Sequence, residues 1–376
     1  MIYLDYSATT PVDKNVLESF NKANLEFIGN ANSKHNLGLN INKLITSATI
    51  QIKDLLNIRD KEVIYTSSSS ESNNMAIKGI ALKYKNRGKH IITTYFEHSS
   101  VNEPLKYLED EGFEISFVKT DEFGIIDLKN LKELIRNDTI LVIVNAINSE
   151  LGIKQPIEEI GLLLKDYPKT FYHVDLTQAI GKINLDLTNV DMACFSAHKI
   201  YGLKGIACLI KNNNINLEPL IHGGQSTTIY RSGTPAHPLI VSLSKALRLS
   251  MESLNEKYKY VQTLNDYLKV KLSIYKDVYI NSNEKCIPHI LNISINGIKA
   301  ETFLHALESY EVYVSTKSAC SDETSLSETV LQLIKDKERA SSSIRISLSH
   351  LTTKEEIDQL ILIFEKCYNK LKFKKD

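Results

Sequence analysis

Between about residues 60 and 210 the chain alternates short β-branched runs with longer amphipathic stretches, and few folds accept that rhythm. Runs at Glu62–Thr66, His90–Thr94, Glu114–Val118, Thr139–Ile147, Lys169–Asp175 and Asp191–Ser196 predict strands. The patterns Glu71–Tyr84, Ser100–Asp110, Leu128–Ile135 and Ile157–Asp166 between them predict helices. Strand followed by helix, repeated, implies an α/β domain whose mostly parallel sheet is covered by helices on both faces. Ligands of such sheets bind outside the carboxyl ends of the strands, so residues just after each strand are the first candidates for function.

Past this region, Leu239–Tyr275 has repeated apolar spacing and neither Gly nor Pro, which predicts one long helix leaving the sheet domain. Elements expected at Ile290–Ile295, Lys299–Tyr310, Ile344–Leu348 and Thr353–Lys370 suggest a smaller α+β domain. A length of 376 residues suits two domains. The expected division is a large domain over 13–254 and a small one from 1–12 and 255–376.

Lys plus Arg equals Asp plus Glu at 45 each, so no net field favours nucleic acid or an anionic membrane. No apolar run approaches the roughly 20 residues of a membrane span, and the start Met1-Ile2-Tyr3-Leu4-Asp5 lacks signal-peptide features. The C-terminal lysines (Lys370, Lys372, Lys374, Lys375) read as a solvated tail. Five cysteines (194, 208, 286, 320 and 367) include no CxxC pair, which argues against a disulfide framework and a zinc cluster. No metal is expected, and a reducing cytoplasm is the natural location.

Six places carry chemical potential. Lys199 ends Ser196-Ala197-His198-Lys199 after an apolar strand, where a lysine amine can form a Schiff base with a carbonyl cofactor or simply occupy a turn. Asp175 closes Phe171-Tyr172-His173-Val174, where a carboxylate can pair with a pyridinium nitrogen, with Gln178 near a ring oxygen. Alternatively, Asp175 caps a helix opened by Thr177 and Gln178. The run Ser67 to Ser72 precedes a helix and suits a phosphate, or a plain capped turn. His98 can stack on a ring or move protons, or be a loop residue. Cys320, in the polar stretch Ser315 to Asp322 beside Lys317, reads as an exposed thiol with nucleophilic potential or as incidental. Arg345, inside the apolar Ser343–Ser347, needs an anion there, either a substrate carboxylate or an internal acid.

Together, in order, these points resemble the cysteine desulfurases of the class V aminotransferase group (NifS/IscS type). The matching stretches are Tyr3 to Pro11, Gly29-Asn30, Glu97-His98, His173-Val174-Asp175 with Gln178, Ser196 to Lys199, Arg231 to Thr234, Ser318-Ala319-Cys320 and Arg345. The resemblance implies a fold-type I transferase dependent on pyridoxal 5′-phosphate (PLP), homodimeric and acting on L-cysteine. It implies Lys199 as the cofactor lysine that also shuttles the Cα proton, Asp175 at the ring nitrogen, Gln178 at the ring oxygen and His98 stacked on the ring. Ser70, Ser196 and His198 would bind the phosphate, with Thr234 from the partner subunit, and Ser69 and Ser149 would also contact the cofactor. Asn148 and Arg345 would bind substrate, and Cys320 would take the sulfur as a persulfide. The acceptor would be an iron–sulfur scaffold, a tRNA-thiolation protein or a dedicated partner. The sequence departs from the family at Ser68, where glycine is usual, at Ser149, where an asparagine near the cofactor is usual, and at Lys317. A lyase acting on selenocysteine or another β-substituted amino acid is the enzymatic alternative. A non-catalytic member is the other.

Overall fold

A computed structural model describes residues 1–316 and 326–372. The chain opens with strand β1 (Ile2–Tyr3) and helices α1 (Lys14–Glu26) and α2 (Asn36–Leu55). The expected alternation follows as β2 (Lys61–Thr66), α3 (Ser69–Tyr84), β3 (His90–Thr93), α4 (Ser99–Asp110), β4 (Glu114–Phe117), α5 (Leu128–Leu134), β5 (Thr139–Asn145), α6 (Ile157–Leu164), β6 (Phe171–Asp175), β7 (Met192–Ser196) and β8 (Ala207–Asn212). These strands form one seven-stranded sheet in the order β2-β8-β7-β6-β5-β3-β4. Only β8 runs against the rest, pairing antiparallel with both β2 and β7.

Strand side chains alternate between two cores because successive Cβ atoms point to opposite faces. Val142 and Val144 of β5 enter the core shared with α2 and α7, while Leu141 and Ile143 enter the one under α3 and α4. That double burial is why these strands read as continuous apolar runs.

The second half comprises α7 (His237–Met251), α8 (Leu254–Leu272), β9 (Val278–Ile280), β10 (Ile290–Ile295), α9 (Ala300–Glu308), β11 (Val312–Tyr313), α10 (Glu328–Ile334), α11 (Lys337–Ser341), β12 (Ser343–Ser347) and α12 (Lys354–Lys372). An antiparallel sheet β12-β10-β9 and the parallel pair β1–β11 share a separate core with α8, α9 and α12.

The single long helix expected over Leu239–Tyr275 is two helices. Ser253 adopts φ 53°, in the left-handed region, and the chain turns there. The physical reason is burial. Leu243, Ala246 and Leu247 of α7 pack into the large-sheet core, whereas Val261, Leu264, Leu268 and Leu272 of α8 pack into the other. One straight helix cannot present its stripe to both cores. Among the described residues, no helix is long and apolar enough to cross a membrane.

Candidate active site

Five parallel strands deliver side chains to one cavity at their carboxyl ends. After β2 come Ser68, Ser69 and Ser70; after β3, His98; after β5, Ser149; at the end of β6 and beyond it, Asp175 and Gln178; and after β7, His198 and Lys199. The cavity measures about 180 Å³, and Arg345 of β12 and Ser7 of the N-terminal segment also line it. Most of the residues singled out in the sequence thus meet in one place.

Lys199 Nζ donates to the carbonyls of Ser7 at 2.5 Å and Ala8 at 2.8 Å. Asp175 is held on both oxygens. Oδ1 accepts from Thr177 N at 2.9 Å and Oδ2 from Asn73 Nδ2 at 2.9 Å. The capping reading of Asp175 is therefore half correct, since the Thr177 bond exists, but residues 176–181 form turns rather than a helix. His98 is the N-cap of α4, its Nδ1 accepting from Ser100 N at 3.1 Å. That bond leaves the neutral ring's proton on Nε2. Burial lowers the His98 pKa and so keeps the ring neutral. Its neighbour Glu97 is buried, and desolvation pushes its carboxyl up to about 8.

The serine run begins α3 two residues earlier than its pattern suggested, with Ser68 as N-cap. Ser68 has φ −162°, extended backbone that any residue adopts, so the absence of glycine costs nothing there. Ser196 Oγ accepts from Ser69 N and lies 2.8 Å from Ser69 Oγ, and Thr177 Oγ1 donates to Ser69 Oγ at 2.9 Å. These hydroxyls sit at a helix N-terminus, where the backbone dipole favours an anion.

Arg345 is fully buried. Its Nη2 pairs with Asp5 Oδ1 at 2.9 Å and its Nη1 donates to Ser149 O at 2.9 Å, while Nε has no partner. The internal acid left open by the sequence is thus Asp5, 340 positions away.

One expected site residue lies outside the cavity lining. Asn148 does not line the cavity. Its Nδ2 donates to Phe96 O at 3.0 Å, and its Oδ1 accepts from the backbone N–H groups of Glu150 and Leu151. These bonds hold the side chain against its own turn and the Phe96 carbonyl, with one Nδ2 N–H outside them. Thr234 is exposed and also absent from this chain's own cavity lining. Cys320 and Lys317 lie outside the described residues. Residues whose part in the site the sequence reading did not give are Asn73, Ser100 and Asp5, while Thr177 was read only as a helix opener. Asp5 stood in a matching stretch, and Ser100 lies at a helix start two residues from His98; Asn73 carries no local signal, because its partner Asp175 is far along the chain.

The donor set fits a phosphorylated pyridine aldehyde: an amine for its carbonyl, a carboxylate for a ring nitrogen and a hydroxyl-rich helix start for its phosphate. The partnerless Arg345 Nε is a buried donor able to meet a substrate carboxylate in the same cavity. Among the described residues, no group of His, Cys, Asp and Glu could hold a metal ion.

Comparison with known proteins places these features in context. The family model described as aminotransferase class-V matches residues 2–360. A protein named cysteine desulfurase IscS from Pectobacterium carotovorum is 39% identical over 381 residues, covering 99% of this chain and 93% of that protein. A solved structure described as a NifS-like protein superposes with TM-score 0.91 at 34% identity, covering 99% of both chains. One described as SspA in complex with cysteine superposes with TM-score 0.83 at 30% identity, covering 94% of this chain and 100% of that one.

Proposed function

Because the chain belongs to the aminotransferase class-V family, we infer that it is a PLP-dependent cysteine desulfurase, converting L-cysteine to L-alanine and retaining the sulfur. The observation that carries this reading is the convergence of Lys199, Asp175, His98 and Arg345 on one cavity at the strand ends.

PLP, when bound, supplies a cationic ring that takes up negative charge developing at the substrate Cα. The chain's residues do the rest. Lys199 Nζ is assigned to hold the cofactor and to take and return the proton at the substrate Cα. Its two carbonyl acceptors, on Ser7 and Ala8, orient it meanwhile. Asp175 is assigned to hold the ring N–H, its charge kept in position by Asn73 and Thr177. His98 offers a flat neutral ring with a proton on Nε2. Ser69, Ser70, Ser196 and His198 are assigned to the phosphate, and Arg345 to the substrate carboxylate, anchored by Asp5 and by Ser149 O. With Ser149 in the lining, its hydroxyl stands in for the amide usual at that position.

Cys320 is assigned as sulfur acceptor. Its thiolate attacks the substrate sulfur; the new S–S bond forms as the Cβ–S bond breaks, and the bond's electron pair stays with the three-carbon product. Supporting this, Ser315 lies five residues before Cys320 (320 − 315) and pairs with Arg345 through Arg345 N to Ser315 O at 2.6 Å. Mass spectrometry after exposure to L-cysteine tests it. Cys320 should gain one sulfur atom, and Cys320→Ser should gain none. A persulfide on Cys208 or Cys367 instead would overturn the assignment.

A homodimer completed by Thr234 of the second copy belongs to the same proposal. It is supported by the exposed apolar side chains Leu25 and Ile28 near the α1 end and Leu37 on α2, and sedimentation equilibrium reads it directly. Delivery of the sulfur to an iron–sulfur scaffold or tRNA-thiolation protein is supported by the likeness to IscS-type proteins, and transfer of labelled sulfur reads it. A cytoplasmic location is supported by the free cysteines Cys194, Cys208, Cys286 and Cys367, and cell fractionation tests it.

A further inference from the structure

A second, smaller cavity adjoins Lys199. Lys182, Lys257, His289 and His350 line it, and no carboxylate does. Lys182 is thus a partly buried amine without an acidic lining partner. Burial and the charges of Lys199 and Arg345 bring its pKa down to about 7. Its acceptor is Gln178 Oε1 at 2.7 Å. From the other edge of the same amide, Gln178 Nε2 donates to Ser7 O at 2.9 Å. That carbonyl also accepts from Lys199 Nζ. A chain of contacts therefore runs from Lys182 through Gln178 and Ser7 to Lys199.

An amide side chain can sit in two orientations that differ in what each edge offers. Turned the other way, Gln178 would set its oxygen against the Ser7 oxygen and its N–H groups against the Lys182 amine. Both contacts are repulsive while Lys182 is charged, because an ammonium group can only donate. A neutral amine could accept an amide N–H, so Lys182 adds to the orienting effect of Ser7 O in its protonated form. We propose that Lys182 is a positioning residue of the cofactor cavity, fixing the Gln178 amide with its N–H edge toward Ser7 O and the cavity. One N–H then goes to Ser7, and the second is left for an acceptor oxygen of the bound ring. The proposal rests on the PLP reading of that cavity and adds to it a residue outside the lining.

The test is a double-mutant cycle read by PLP binding to the full-length apoprotein in equilibrium dialysis. Lys182→Met should weaken PLP binding about tenfold, the worth of roughly one net hydrogen bond. In a Gln178→Leu background the same change should add no loss, since the amide it orients is gone. Lys182→Arg, which keeps a donor, should bind PLP as the parent does. Equal losses in both backgrounds, or no loss in either, overturn the proposal. Should Lys182→Met not fold, Gln178→Glu answers the question. It keeps an acceptor for Lys182 but has no N–H edge, so its PLP affinity must fall as far as in Gln178→Leu; parental affinity overturns the proposal. Parent apoprotein that takes up no PLP would refute the cofactor reading itself. Parental binding without Lys182–Gln178 coupling would refute only the positioning role.

Discussion

Asp175 and Lys199 are held by opposite devices. The carboxylate is fixed by donors, Asn73 Nδ2 and Thr177 N, and the amine by acceptors, the Ser7 and Ala8 carbonyls. Asn73 is itself oriented, because its Oδ1 faces His173 Nε2 at 2.8 Å and Cys194 Sγ at 3.0 Å. His173 must then carry its proton on Nε2 and stay neutral, and burial lowers its pKa to about 4. His289 is likewise buried and lowered to about 3. A histidine whose folded pKa lies below the unfolded value of about 6.5 favours folding fully above 6.5 and loses that contribution as pH falls toward the folded value. Stability should therefore drop from about pH 6.5 down to about 4 for His173 and about 3 for His289, by an order of a few kcal/mol per fully buried ring. Urea midpoints across that range check it, and His289→Leu should flatten the decline. An unchanged decline in that variant would assign the acid sensitivity elsewhere. The sequence carried Lys199, Asp175, His98 and Arg345 because each stands at a strand end or inside an apolar run. It could not carry the Asn73–Asp175 contact, which joins positions 102 apart, nor reveal that Asn148 folds back onto its own turn.

At the scale of elements, the break between α7 and α8 is the clearest departure from the sequence pattern. Helix propensity and apolar spacing both continue through residues 252–253, yet Ser253 takes a left-handed conformation so that each helix faces its own core. That conformation costs a non-glycine residue on the order of 1–2 kcal/mol. Ser253→Gly should relieve it and, after the added freedom of the unfolded chain, raise stability by up to about 1 kcal/mol in urea denaturation. A loss of stability would mean the serine side chain is needed at the break. The strands of the alternating region, by contrast, were legible to within one or two residues, the central ones because burial on both faces leaves an apolar run, and the edge strand β4 by its β-branched and aromatic alternation alone. Strand β8 was not, since its identity depends on the slot between β2 and β7 that it fills in reverse.

For the molecule as a whole, the large sheet supplies the cavity floor and the remaining elements close it. Arg345 comes from β12 and its anchor Asp5 from the segment after β1, so a carboxylate bound at Arg345 would tie the second core to the strand ends. We propose the division at 12/13 and 254/255 as the boundary between two domains, a boundary that the α7–α8 break at Ser253 supports; limited proteolysis that spares residues 252–256 would argue against it. The account's central claim is that this cavity performs Lys199-dependent desulfuration of L-cysteine. The most direct measurement is alanine released from L-cysteine by the purified protein with PLP and a thiol reductant, beside Lys199→Ala. Steady alanine from the parent and none from the variant is the expected result. No alanine from PLP-loaded parent, or equal alanine from both, would contradict the claim.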